Sequence, residues 1–186
     1  NGTASFSRSG SAYLDLENYT LSSVTTSVDI NSDQNVDAIA VLAQNSGESD
    51  SSLVVVLTGD GSGQVTPSDL IFVEGIAPQV TVCDINRDFY LDVVVANSSA
   101  GELVVFANNG MGQFGDPDTT AVGAGGELRF ALASADLDRD GQPDILSGSA
   151  AGDNLVIELN EQPDEPVQED ELYITGYDYV DVSVTN

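Results

Sequence analysis

The chain has 186 residues, of which 31 are Asp or Glu and only four are basic, so its formal net charge at neutral pH is −27. A surface of this sign repels phosphate backbones and anionic lipids, which excludes nucleic acid and bare membrane as favourable partners and favours cations. With no histidine and one cysteine, the sequence offers no His-based zinc site, no His-based catalysis and no internal disulfide.

Short β-strands are predicted along the whole chain. Residues 11–19 (SAYLDLENY) alternate apolar and polar side chains, as a strand with one buried face does. The runs DAIAVLA (37–43), LVVVL (53–57) and DVVVAN (92–97) are rich in β-branched residues and bounded by Gly, Asn, Asp and Ser. Residues 179–186 (YVDVSVTN) alternate again, and no segment shows helical periodicity. The sequence therefore predicts an all-β fold.

One pattern occurs three times in the chain. An acidic nonapeptide is followed each time by an apolar run, a polar loop and a second apolar run. In the first two copies a glycine turn comes next, TGDGSGQV (58–65) and ANNGMGQF (107–114), whereas the third continues into an acidic segment with two prolines. The predicted organisation is an N-terminal strand segment (1–23), three repeats (about 24–75, 76–127 and 128–160), an acidic linker (161–171) and a C-terminal strand (172–186).

The nonapeptides are DINSDQNVD (29–37), DINRDFYLD (84–92) and DLDRDGQPD (136–144), with oxygen-bearing side chains at positions 1, 3, 5 and 9. A tightly curled loop brings these groups to one point, where they repel one another unless a hard divalent cation joins them. Position 7 varies, which suits a ligand that binds through its backbone carbonyl. The predicted ligands are Asp29, Asn31, Asp33, Asn35 and Asp37 in loop 1; Asp84, Asn86, Asp88, Tyr90 and Asp92 in loop 2; and Asp136, Asp138, Asp140, Gln142 and Asp144 in loop 3.

Calcium, about three ions, is the predicted cofactor, because it takes roughly six to eight oxygen ligands; magnesium prefers a smaller octahedral shell and is the second choice. An EF-hand needs Gly at position 6 and Glu at position 12 between two helices, whereas position 12 here is Ala40, Val95 or Ser147 inside a predicted strand. Solvated turns rich in Asp and Asn are the alternative to metal loops. The occurrence of three copies with the same spacing favours metal-binding loops over solvated turns.

These residues resemble the FG-GAP or VCBS repeats of integrin-α-like β-propellers, whose blades carry calcium in a D-x-[DN]-x-D-G-x-x-D loop between two strands. The similarity covers about residues 24–160, and the glycine turns also resemble turns of that family. The third copy is close to the family pattern, whereas the first two have Gln34 and Phe89 where the family has Gly. The resemblance implies three propeller-like antiparallel blades, calcium-loaded and extracellular, with flanking strands at both ends.

Three blades are too few to close a propeller, which typically needs about four to eight. The open faces and edges therefore need a cover. Further blades of a longer parent chain, a partner protein, or other copies of this chain joined by addition of the strand 179–186 would provide it. The same strand folding back onto its own repeats is the alternative.

The leading functional hypothesis is a non-catalytic structural or adhesive module at the cell surface or outside the cell, stabilised by calcium, such as the subunit of a self-assembling surface fibre. The alternative is a glycan- or protein-recognition module of a larger secreted protein. An enzyme is not expected, since the grouped acids are committed to metal and neither a His, a nucleophile elbow nor a phosphate loop is present.

Three other residues carry expectations of their own. Cys83 lies in the apolar run VTVCDI and is predicted to be a small core residue. Asn18 (NYT) and Asn97 (NSS) lie in sequons and are candidate glycosylation sites of a secreted protein, although a chain rich in Ser and Thr also produces sequons by chance.

Overall fold

The computed structural model is all-β within the residues that it describes: it contains strands and loops and no helix there, so it has no helix that could cross a membrane in that part of the chain. This confirms the predicted fold class. The linker beyond Glu161, the C-terminal strand and most of the predicted strand 11–19 lie outside the described residues. The described ranges are 18–44, 51–75, 79–97, 100–121, 128–149 and 154–161.

The strands form three antiparallel sheets, here called blades 1 to 3, and none of the three is closed into a barrel. Within each blade the strands pair in chain order, as a meander. Blade 1 contains β1 (Tyr19–Val28), β2 (Asp37–Gln44), β3 (Ser51–Gly59) and β4 (Val65–Glu74). Blade 2 contains β5 (Gln79–Cys83), β6 (Asp92–Asn97), β7 (Glu102–Phe106) and β8 (Asp118–Ala121). Blade 3 contains β9 (Leu128–Ala135), β10 (Asp144–Ser149) and β11 (Asn154–Glu158).

Each acidic nonapeptide connects the first strand of its blade to the second. The pairing register is the same in all three blades, because the residue before the loop pairs with position 9 of the loop: Val28 with Asp37, Cys83 with Asp92, and Ala135 with Asp144. The three loops therefore leave and re-enter their sheets at equivalent points.

The central strands of blade 2 are apolar on both faces because blade 2 is stacked between blades 1 and 3. Every residue of β6 is buried. Val93 and Val95 pack in a cluster shared with blade 1, whereas Val94 and Ala96 pack in a cluster shared with blade 3. This two-sided burial explains why β6 is a continuous apolar run and does not alternate as a half-exposed strand would.

Cys83 lies in the cluster between blades 2 and 3, as predicted for a small core residue. Burial raises the pKa of its thiol to about 12. The thiol is therefore uncharged near neutral pH and is a poor nucleophile.

Candidate metal centres

The three acidic loops share one backbone path, which is left-handed at positions 4 and 6. Position 4 is Ser32, Arg87 or Arg139, with φ of 59°, 63° and 70°. Position 6 is Gln34, Phe89 or Gly141, with φ of 68°, 73° and 86°. The loops that lack glycine at position 6 thus adopt the same conformation as the one that has it, although a side chain costs about 1–2 kcal/mol in that region.

The position-1 carboxylate holds this conformation by accepting hydrogen bonds from amides later in the loop. Asp29 accepts from the amides of Asp33 at 3.0 Å and Gln34 at 2.8 Å. The carboxylates of Asp84 and Asp136 do the same in their own loops, the amide at position 6 being a donor each time. These bonds offset the strain of the left-handed residues.

Positions 3 and 5 continue the same arrangement. In loop 1, Asn31 Oδ1 accepts from the Asp33 amide at 3.2 Å, and Asp33 Oδ1 accepts from the Asn35 amide at 2.8 Å. Loops 2 and 3 repeat both bonds at equivalent positions. Backbone amides thus turn the side-chain oxygens of positions 1, 3 and 5 towards the inside of each loop.

The position-9 aspartates are buried, with exposed fractions of 1% or less, and each carboxylate accepts two backbone amides. Asp92 Oδ2 accepts from Ile85, at position 2 of its own loop, at 3.1 Å, and Asp92 Oδ1 accepts from Asn108, beyond β7, at 2.9 Å. In the same way, the Asp37 carboxylate accepts from the amides of Ile30 and Gly59, and the Asp144 carboxylate accepts from the amides of Leu137 and Asn160. Position 9 therefore ties the loop to the end of the third strand, a role that the ligand pattern alone does not indicate.

Loop 3 brings three carboxylates together. Asp136, Asp138 and Asp144 each offer an oxygen atom, and these atoms lie within 4.8 Å of one another. Hard oxygen donors at such spacing fit a divalent cation, so this triad can hold a metal ion.

Loops 1 and 2 differ from loop 3 at position 3, where Asn31 and Asn86 replace an aspartate. Their Nδ2 groups donate to the position-5 carboxylates of Asp33 and Asp88, at 3.1 and 3.0 Å. In loops 1 and 2 the Asn side-chain amide therefore reduces the repulsion among the oxygen atoms at positions 3 and 5. In loop 3, where position 3 is an aspartate, only a bound cation would offset that repulsion. Position 7 also differs among the loops: Gln142 is buried and donates through its side-chain amide to the Asp140 carboxylate, whereas Tyr90 is 40% exposed.

Burial shifts the acid–base equilibria of loop 2. It raises the pKa of Asp92 to about 7 and also raises the pKa of Asp84, although backbone amides partly oppose both shifts. In loop 1, the hydrogen bond from the Asn35 amide lowers the pKa of the exposed Asp33. A cation within loop 2 would favour the ionised form of its aspartates, because an opposite charge lowers the pKa of a carboxyl group.

The glycine turn after β7 fits between loops 1 and 2. Asn108 Oδ1 accepts from the amides of Gly110 and Gly112, both at 3.1 Å. A Cβ on Gly110 would lie 2.4 Å from the ring of Tyr90, and one on Gly112 would lie 3.4 Å from Asn31. The repeated turn thus has a structural role, because its glycines allow close packing against two acidic loops.

The two sequon asparagines differ in accessibility. Asn18 is exposed, whereas Asn97 is 5% exposed and its Oδ1 accepts from the Ala100 amide at 3.3 Å. A glycan on Asn97 would require exposure of an amide group that the fold buries. Asn18 stays the accessible predicted site.

The fold and its loops define a class: all-β proteins of propeller-like antiparallel blades, in which an acidic loop joins the first two strands of each blade. Residues 84–147, which include loops 2 and 3, match the family model described as FG-GAP-like repeat. The match confirms the FG-GAP resemblance for this part of the chain. No curated protein and no solved structure matches the chain.

Replacing Phe89 with glycine is expected to stabilise the protein by about 0.5–1 kcal/mol. The substitution relieves a left-handed residue whose side chain is 93% exposed, and the greater freedom of glycine in the unfolded chain offsets part of that gain. Gly141→Ala is the matched control: a Cβ there meets open space, so only the backbone cost remains and stability falls by about 1 kcal/mol. Urea denaturation measures both, and a loss of stability in F89G would contradict the assigned strain.

Proposed function

We propose that this protein is a non-catalytic, calcium-stabilised structural or adhesive module that works outside the cell. The observation that carries the proposal is the convergence of Asp136, Asp138 and Asp144, whose oxygens lie within 4.8 Å of one another in loop 3. Carboxylate oxygens are the ligands that calcium prefers. The FG-GAP-like repeat match supports an extracellular adhesion- or propeller-type module.

Loops 1 and 2 are proposed to bind calcium in the same way, giving about three ions in total. Both follow the backbone path of loop 3, and amide oxygens such as those of Asn31 and Asn86 are also calcium ligands. Each ion would tie the end of the first strand to the start of the second. Calcium would thus act as a cross-link within each blade.

Calorimetric titration of the chelator-treated protein with calcium tests this proposal. We expect saturable binding with a stoichiometry near three and weaker binding of magnesium. Asp138→Ala is expected to remove one site, whereas Asp60→Ala, an exposed carboxylate in the turn after β3, should leave all of them intact. A titration without saturable heat would contradict the proposal.

Catalysis is not part of the proposal, because the grouped carboxylates are engaged by loop amides. The aspartates at position 1 accept two amides each, and so do those at position 9. Groups held in this way suit the binding of a cation better than proton transfer to a substrate.

Other copies of this chain are the proposed partners, joined by strand addition. Within the described residues, blade 3 has three strands where blades 1 and 2 have four, so β11 is an edge strand there. An open edge offers main-chain hydrogen bonds to an added strand. Electron microscopy with and without calcium is expected to show fibres or rings only with calcium, whereas single particles in both conditions would contradict self-assembly.

A recognition function is a second candidate, favoured by exposed apolar residues beside loop 2. Phe89 is 93% exposed and Met111 is 75% exposed, and the turn that carries Met111 packs on Tyr90 through Gly110. Exposed aromatic and thioether side chains are common in binding surfaces. A glycan array probed with monomeric protein would support this function if a hit disappeared in F89G.

A further inference from the structure

Two buried asparagines each bond two neighbouring acidic loops. The Asn108 amide donates to Asp92 Oδ1, in the loop of its own blade, at 2.9 Å, and Asn108 Nδ2 donates to the Ile30 carbonyl, in the loop of blade 1, at 2.7 Å. Asn160 of blade 3 makes the same two bonds, to the position-9 carboxylate of its own loop at 3.0 Å and to the position-2 carbonyl of the preceding loop at 2.9 Å. Each asparagine therefore links position 9 of one loop to position 2 of the next.

The bonds of the two asparagines are joined into one continuous set. Ile85 accepts from Asn160 through its carbonyl and donates its amide to Asp92 Oδ2 at 3.1 Å. The other oxygen of that carboxylate accepts from Asn108. Ile30 connects Asn108 to the position-9 carboxylate of loop 1 in the same way. We call this set the inter-loop network: it consists of the three position-9 aspartates, the position-2 isoleucines of loops 1 and 2, and the two asparagines.

Every member of the inter-loop network is buried. The three aspartates are at most 1% exposed, the two isoleucines at most 2%, and the asparagines at most 4%. A hydrogen bond that breaks in such surroundings leaves a polar group unpaired, because no water replaces the lost partner. A displacement within one acidic loop therefore acts on the neighbouring loop through the asparagine that both share.

The inter-loop network meets the acidic loops at positions that a bound cation would hold. Position 9 is a predicted ligand, and position 2 lies between the predicted ligands at positions 1 and 3. Without a cation, the carboxylates of a loop repel one another. A cation removes this repulsion and orders both positions, so the ordering extends to the asparagines bonded there.

We propose that the three loops bind their cations cooperatively, with the inter-loop network as the connection between neighbouring sites. This coupling rests on the calcium-stabilised module proposed above. The first ion orders the asparagine shared with the next loop, so the second ion binds a loop that is already partly ordered. Coupling of this kind typically changes an affinity by about 5–150-fold. Loops 1 and 3 are connected only through loop 2, so the coupling is strongest between neighbours.

Calorimetric titration of variants with chosen loops intact tests the coupling. Asp33, Asp88 and Asp138 are exposed predicted ligands, one in each loop, and none belongs to the inter-loop network. D33A keeps loops 2 and 3, and adding D138A or D88A to it leaves a single loop. We expect the product of the two calcium-binding constants of D33A to exceed the product of the two single-loop constants by at least about fivefold.

Asn160→Ala shows whether the inter-loop network carries this excess. It removes the Nδ2 donor to the Ile85 carbonyl but keeps the backbone amide that bonds Asp144. Within the described residues, Asn160 Oδ1 is buried without a hydrogen-bond partner, so alanine also removes an unsatisfied acceptor. We expect the excess to disappear in N160A while both loops still bind calcium. N109A replaces an exposed asparagine outside the network and should keep the excess.

Two further measurements complete the test. D88A leaves loops 1 and 3, which are not neighbours, so its excess should be smaller than that of D33A; this comparison holds even if N160A does not fold, and an equal excess would contradict a connection between neighbours. Hydrogen exchange of the Ile85 amide, in loop 2, reports the ordering directly. Calcium bound to loop 3 alone, in D33A/D88A, should slow this exchange, and should not do so once Asn160 is also replaced by alanine.

Three other results would overturn the coupling. A product equal to that of the single loops would show independent sites, and the calcium-stabilised module would stand without cooperativity. An excess of the same size in N160A would assign the coupling to another path. No calcium binding by the single-loop variants or by the unaltered protein would overturn both the coupling and the proposed function.

Discussion

Chelation of divalent cations is expected to lower the melting temperature of this protein by about 16–32 °C if all three loops bind calcium. A cation that binds only the folded state stabilises it by about 2.7 kcal/mol per site at a hundredfold excess over Kd. Three sites contribute about 8 kcal/mol, a large share of the ordinary net stability of about 5–15 kcal/mol. In a chain of this length each kcal/mol shifts the melting temperature by about 2–4 °C.

The size of the melting-temperature shift also indicates how many of the three loops bind calcium. If only loop 3 binds calcium, the same arithmetic gives a shift of about 5–11 °C. Scanning calorimetry in millimolar calcium, in millimolar magnesium and in excess chelator measures it, with the D60A variant as a control that retains all three loops. Identical melting curves in calcium and in chelator would refute the proposed calcium-stabilised module.

The fold class could be predicted from the sequence because its signal is local. Apolar runs of β-branched residues mark the strands, and the acidic nonapeptides mark the connections between first and second strands. The backbone path of the acidic loops was harder to predict from the sequence. Gly141 indicates a left-handed position 6, but nothing in Ser32, Arg87 or Arg139 indicates the same conformation at position 4. There the conformation depends on side-chain acceptors whose geometry emerges only in the folded loop.

The roles of Asp92 and Asn108 were not predictable for a different reason. The hydrogen bond from Asn108 Nδ2 to the Ile30 carbonyl joins residues 78 positions apart, and it exists only once the blades stack. From its spacing alone, Asp92 looks like a fourth metal ligand, because sequence spacing does not show which side chains become buried. The sequence did contain one signal for the role of these asparagines: Asn108 and Asn160 each lie 16 residues after the position-9 aspartate of their blade.

Replacing Asp92 with alanine is expected to destabilise the protein by about 2–6 kcal/mol beyond any effect on calcium. Its carboxylate is fully buried and accepts the amides of Ile85 and Asn108. Alanine leaves both amides without an acceptor, and a buried unpaired donor costs about 1–3 kcal/mol. Asp92→Asn keeps one acceptor oxygen and should lie between alanine and the unaltered protein.

Asp88→Ala is the matched control, since Asp88 is a predicted ligand of the same loop but is exposed and accepts the Tyr90 amide at the surface. In saturating calcium, D88A is expected to lose only the contribution of one ion, about 2.7 kcal/mol, whereas D92A loses that contribution and the buried hydrogen bonds as well. Urea denaturation of the two variants, with and without chelator, separates these terms. If D92A and D88A were equally stable in calcium, position 9 would act only as a metal ligand and not as the buried tie between the loop and the third strand.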